Sequence, residues 1–186
     1  MKLDKLIVDN FCSHEHTEID FNNVTSEQLL KKFPEIDVII NLAGICCKDS
    51  DGLLKYFDKI MNINLKPNFI ILEYVKKLKN RPVNIIFISS SSATKGREGL
   101  TLYSSAKAAL HSIVESQAKL LSKSDIYLNC ICPEKIKTTM LRSLPNYDSL
   151  NMNEILSPEE VNKVIMTYCD TKEYGQIVYL KKGMKI

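Results

Sequence analysis

Three runs of β-branched and aliphatic residues constrain this chain more than any other feature: IDVIINLAG (36–44), VNIIFISS (83–90) and IYLNCICP (126–133). Each is apolar on nearly every residue rather than on alternate ones, so a strand built from it must be covered on both faces, as in a parallel sheet. HTEIDF (16–21) and GQIVYLKKG (175–183) are weaker strands. Between the runs the apolar residues change to helical spacing. Ser26 to Phe33 predicts a short helix stopped by Pro34. Leu53 to Leu78 carries Ile60, Ile63, Phe69, Leu72 and Val75 on one stripe, and Pro67 is expected to kink or divide it. Tyr103 to Leu121 is alanine-rich, with Leu110, Ile113, Val114 and Leu121 as its apolar stripe. SPEEVNKVIMTYC (157–169) opens on a Ser cap, Pro at the first helical position and early acids. Strands alternating with such helices predict an α/β fold, a parallel sheet flanked by helices, in a single domain over residues 1–186.

Composition narrows the function classes. A formal charge of +3 with lysines spread along the chain makes no basic stripe interleaved with aromatics, which argues against a nucleic-acid partner. No apolar run reaches about 18 residues, and the N-terminus lacks a signal-peptide pattern, so no membrane partner and a cytoplasmic location are expected. The cysteines at 12, 46, 47, 130, 132 and 169 form no Cys-x-x-Cys pair. Cys46-Cys47 and Cys130-x-Cys132 lie in apolar runs, where a free thiol behaves as a small hydrophobe in a reducing compartment. His14-Glu-His16 could place two imidazoles on one side of a strand, but no matching Cys/His cluster follows and no metal site is expected.

The segment YSSAK sets Tyr103 and Lys107 one helical turn apart on a common face. A tyrosine ordinarily titrates at about 10, and a fixed cation beside it favours the phenolate and improves it as a proton carrier near neutrality. Spacing alone is weak: with 8 tyrosines and 22 lysines in 186 residues, chance supplies about one such pair, and the chain has a second in Tyr168/Lys172. Position separates the two. Tyr103 opens the helix after the strand ending in four serines, whereas Tyr168 sits near a helix C-terminus with no polar strand end beside it. Ligands of open parallel sheets bind at the carboxyl ends of the strands, and "NLAG", "SSSS" and "PEKIKTT" all fall there.

Taken in order, NLAG (41–44), Asn64 in MNINL, Ser90 in FISS, Tyr103-x-x-x-Lys107 and Asn129, Pro133 and Thr138 in NCICPEKIKTTM resemble the short-chain dehydrogenase/reductase family. The likeness runs from about Asp20 to the closing EYGQIVYLKKG, with Leu42, Glu134 and Lys182 departing from the family's usual Asn, Gly and Gly. It implies a Rossmann-like sheet, a nicotinamide cofactor (NAD or NADP), and hydride transfer to or from a small-molecule carbonyl/alcohol substrate. In that scheme Tyr103 is the acid/base, Lys107 depresses its pKa and binds the nicotinamide ribose, and Ser90 stabilises the substrate oxygen. Asn64 would hold a relay water. Asn41, Ala43 and Gly44 would line the cofactor, Pro133 and Thr138 would flank the nicotinamide, and Asp20 resembles the acid near the adenine. Relatives imply a homodimer or homotetramer.

The family anchors its pyrophosphate on a glycine-rich turn at a helix N-terminus. Gly44 is the first glycine of this chain, so that turn is not among its residues. By resemblance, the first two strands and the helix between them are expected to be missing at the N-terminal edge, about 45 residues or one strand–helix–strand unit. KLDKLIVDNF then resembles the tail of the next helix, and the sheet would expose an unpaired edge. Three explanations are open: a fragment or internal start, a degenerate relative retained as a catalytically silent binding or oligomerisation module, or an edge covered by another chain or segment.

Overall fold

The structure, a computed structural model, describes residues 5–10, 15–20, 24–78, 82–143 and 147–184. Its elements run β1 (Lys5–Asn10), β2 (Glu15–Asp20), α1 (Ser26–Lys32), β3 (Val38–Asn41), α2 (Phe57–Ile60), a π-helical turn (Met61–Leu65), α3 (Lys66–Val75), β4 (Val83–Ile88), α4 (Ser92–Lys95), α5 (Thr101–Ser122), β5 (Ile126–Pro133), α6 (Thr139–Arg142), α7 (Pro158–Thr167) and β6 (Ile177–Leu180). They form one six-stranded sheet in the order β2-β1-β3-β4-β5-β6. From β3 to β6 all pairings are parallel. This is the α/β sheet expected of the three continuous apolar runs.

Those runs are apolar throughout because each strand has two buried faces. On β4, Ile85 and Phe87 face a core built with Ile71 and Val75 of α3 and Leu110 and Val114 of α5, whereas Ile86 turns to the opposite side. There Ile86, with Val38, Ile131 and Leu180, packs on Val161, Val164 and Ile165 of α7. Helix α7 starts where its sequence indicates: Ser157 and Glu160 cap each other reciprocally and Pro158 occupies the first turn.

Two expectations are corrected. The segment read as a helix tail is instead strand β1, which pairs antiparallel with β2 over Lys5–Asn10 and with β3 at Ile7–Ile40. Consecutive Leu6, Ile7 and Val8 favour the extended state. The edge of β3 is therefore not open; a hairpin of the same chain covers it. The region 53–78 is divided next to Pro67 rather than kinked, one of the two outcomes expected of that proline. It breaks at a π-helical turn, and Pro67 lies in the first turn of α3, where its missing N–H leaves nothing unsatisfied.

Candidate active site

Strands β3, β4 and β5 end in Asn41, Ile88 and Pro133 along one edge of the sheet, and the chain beyond them walls a cavity of about 1310 Å³. Gly44, Ser90, Tyr103, Lys107, Pro133 and Thr138 all line it. Neither Tyr168 nor Lys172 of the second pair lines it, and Tyr168 packs on the α7-side core.

Helix α5 places Tyr103 and Lys107 on its buried side, and the Lys107 side chain runs back toward the end of β4. Its Nζ donates to the Ile88 carbonyl at 2.7 Å and stands 5.9 Å from the centre of the Tyr103 ring. Only 4% of Lys107 is exposed, and that burial lowers its pKa from 10.5 to about 8, with the Cys130 and Cys132 sulphurs acting in the opposite direction. Tyr103 differs from expectation. Its pKa is pushed up to about 12 by burial, a hydrogen bond with Ser90 partly offsets the rise, and Cys46 adds to it. The expected depression of the phenol by Lys107 is absent in this arrangement, because desolvation dominates and the ammonium is engaged by Ile88. At neutral pH Tyr103 is accordingly a protonated donor. Ser90 is oriented in turn by Ser92, whose hydroxyl and amide both donate to the Ser90 Oγ, at 2.9 and 3.2 Å.

Asn41, Ala43 and Asn64 stand behind the cavity wall. The Asn64 side chain accepts from the Ile45 amide and donates to the Ile45 carbonyl, each at 2.8 Å. Asn41 donates to Asn68 at 2.8 Å and accepts from the Ala43 amide at 3.1 Å, while Asn68 donates to the Asn64 and Leu65 carbonyls at the end of the π-helical turn. These amides pin the loop after β3 to the start of α3. Asn64→Ala leaves both Ile45 backbone groups without their partner and is expected to lower stability by about 2 kcal/mol. An unchanged midpoint in urea unfolding would contradict that role.

Gly44 sits where a side chain would crowd the site: an added Cβ would lie 3.3 Å from the Lys107 Nζ and 3.8 Å from the Asn64 Oδ1. Thr138 caps α6, its hydroxyl accepting from the Leu141 amide. Asp20 closes β2. Because β1 is antiparallel to both of its neighbours, β2 runs parallel to β3, so Asp20 lies at the same carboxyl edge, about 10 Å away in the hydrogen-bonding direction.

Sequence reasoning missed two contributors. Asn68 lies four residues after Asn64, a spacing that places both on one helix face and could have signalled the bracket. Cys46 belongs to the cavity wall rather than to an apolar core; burial pushes its thiol up to about 11, and Cys47 and Asp49 add to the shift.

Residues 13–184 match the family described as enoyl-(acyl carrier protein) reductase. This chain belongs to the short-chain dehydrogenase/reductase family. The family's members are oxidoreductases that use NAD or NADP. Among its relatives, the 3-oxoacyl-(acyl-carrier-protein) reductase FabG of Thermotoga maritima is 30% identical over 86% of this chain and 70% of the relative. The protein of the same name from Rickettsia felis is 31% identical over 88% and 73%. Among solved structures, ElxO with NADP bound superposes with a TM-score of 0.73 at 22% identity, covering 91% of this chain and 79% of that one, a likeness of fold. No helix among the described residues is long and apolar enough to cross a membrane.

Proposed function

We propose that the cavity at the strand ends holds the nicotinamide half of NAD or NADP and that this chain interconverts a carbonyl and an alcohol, with Tyr103 as the proton carrier. The convergence of Ser90, Tyr103 and Lys107 on one wall carries this reading: the phenol is protonated and hydrogen-bonded to Ser90, and a buried ammonium lies one turn behind it. The narrow approach over Gly44, which a Cβ would fill, suits a ring or ribose lying against the wall. The bound cofactor supplies or accepts the hydride.

The remaining steps belong to the chain's own residues. Ser90 and Tyr103 hydrogen-bond the substrate oxygen, and Tyr103 donates its proton as negative charge develops there, or takes it back in the reverse direction. In this reading Lys107 binds the ribose hydroxyls and favours the phenolate once Tyr103 has given up its proton. Pro133 and Thr138 flank the nicotinamide, and Asp20 approaches the adenine end. Asn41, Ala43 and Asn64 hold the loop that carries Gly44. The relatives' names suggest a 3-oxoacyl thioester as the substrate class. Exposed Phe69 on α3 and Leu120 on α5 support assembly as a homodimer or homotetramer through these helices.

A 3-oxoacyl thioester mixed with the chain and NADPH or NADH should discharge the nicotinamide absorbance catalytically. Stoichiometric binding without turnover across both cofactors would refute the enzymatic reading. It would favour a catalytically silent module, which one observation supports: β1 occupies the flank of β3.

A further inference from the structure

Behind the candidate active site, α5 and β5 bring together two thiols and an imidazole that the oxidoreductase reading does not use as ligands. Cys130 and Cys132 alternate along β5 onto its α5-facing side, and His111 approaches them from α5 one turn after Lys107. The His111 Nε2 lies 3.0 Å from the Cys132 Sγ, the two sulphurs are 4.0 Å apart, and all three donor atoms fall within 4.8 Å of one another.

We propose that His111, Cys130 and Cys132 form a binding site for a thiophilic d10 cation, Zn²⁺ in the first instance. Zinc bonded to sulphur at about 2.3 Å and to imidazole nitrogen at about 2.0–2.1 Å sets its ligand atoms about 3.5–4 Å apart, so the sulphur–sulphur edge of 4.0 Å already fits, the 3.0 Å His111–Cys132 edge must open by about half an ångström, and the His111–Cys130 edge, within 4.8 Å, must close by about 1 Å at most through side-chain rotation. Cation entry displaces the two thiol protons to solvent and leaves every atom's oxidation state unchanged; His111 ligates as neutral imidazole. Three protein donors leave a fourth position for water, as in open zinc sites. Both thiols are fully buried, whereas His111 is partly exposed beside the half-exposed Tyr179, its edge packed on that ring at 6.1 Å, which gives the ion a route in. The sequence did not show the site because its donors come from two elements, and Cys130-x-Cys132 alone has no ligand spacing of a known finger.

Because the Cys130 and Cys132 sulphurs also act on Lys107, the test reads the metal directly and not turnover. The full chain, reduced and freed of metal, is titrated with Co²⁺ as a spectroscopic probe and with Zn²⁺ against a chromophoric chelator. One equivalent should bind with a thiolate-to-cobalt charge-transfer band and raise the melting temperature. Cys130→Ala and Cys132→Ser should abolish the band and weaken Zn²⁺ binding about 100-fold or more, since even outer-shell changes cost 10–100-fold. His111→Asn, at a partly exposed position that folding tolerates, should keep a thiolate band but weaken binding at least about 10-fold. The proposal is overturned if the wild-type chain gives no thiolate band. It is equally overturned if the band survives loss of Cys130 and Cys132, disappearing instead on replacement of Cys12, His14 and His16 or of Cys46 and Cys47.

Discussion

Tyr103→Phe is expected to lower turnover by about 10²–10⁴-fold, the contribution of a positioned general acid. The substitution removes only the hydroxyl, so the ring still fills its place beside Lys107 and affinity for NADPH should change little. The raised pKa makes the direction specific: with the phenol at about 12, it remains a donor throughout the neutral and mildly alkaline range, and carbonyl reduction should not fall off there through loss of the Tyr103 proton. Initial rates with a 3-oxoacyl thioester, together with cofactor fluorescence, separate the two effects. A variant retaining more than about a tenth of wild-type turnover, against the loss a general acid should cause, would remove Tyr103 from the role. Tyr168→Phe, on the other side of the sheet, should leave both measurements unchanged.

Lys107→Met is expected to remove turnover, by about 10²-fold or more, and at the same time to make the protein more stable at pH 7. The sign follows from burial. The lysine's pKa falls from 10.5 to about 8 on folding, so below pH 8 both states carry the proton and the full penalty of burying the charge is present. Between about 8 and 10.5 the unfolded chain holds a proton that the folded one has lost, and stability rises with pH across that window. The penalty is on the order of 3 kcal/mol at neutral pH. Losing the bond to Ile88 costs about 1 kcal/mol, which leaves a net gain of about 2 kcal/mol for an apolar side chain of similar length. Urea unfolding at pH 7 and pH 10 should show the gain at the lower pH and its shrinkage at the higher. A variant destabilised at pH 7, or one with the wild-type pH dependence, would contradict the account of a buried ammonium kept for function.

Several of these features were legible in the sequence, and for physical reasons. Ile85 to Phe87 read as a strand covered on both sides because their side chains leave opposite faces into two cores, each of which demands an apolar residue. Ser157, Pro158 and Glu160 marked the start of α7 because capping is a local interaction within one turn. Ser90, Tyr103 and Lys107 were identifiable as a group because their order along the chain resembles the family's, with Ser90 just beyond the end of β4 and Tyr103 and Lys107 on successive turns of the next long helix, α5.

What escaped depends on contacts between distant segments. A division at Pro67 was expected, but not its π-helical form, where Asn64 reaches Ile45, a bond between residues 19 apart that no helical period records. The extended state of β1 is likewise fixed by pairing with β2 and β3, where the family likeness suggested a helix. For Tyr103, spacing displays the nearby cation but not the burial that outweighs it in setting the pKa. His111 meets Cys132 only once α5 has folded onto β5.

The most direct test of the central claim is titration of this chain with NADPH and NADH, followed by nicotinamide fluorescence, in the wild type and in Lys107→Met. A nicotinamide site at Tyr103 and Lys107 predicts saturable binding of one equivalent per chain, markedly weakened by Lys107→Met and unaffected by Tyr168→Phe. No saturable binding of either cofactor, or binding indifferent to Lys107, would contradict it.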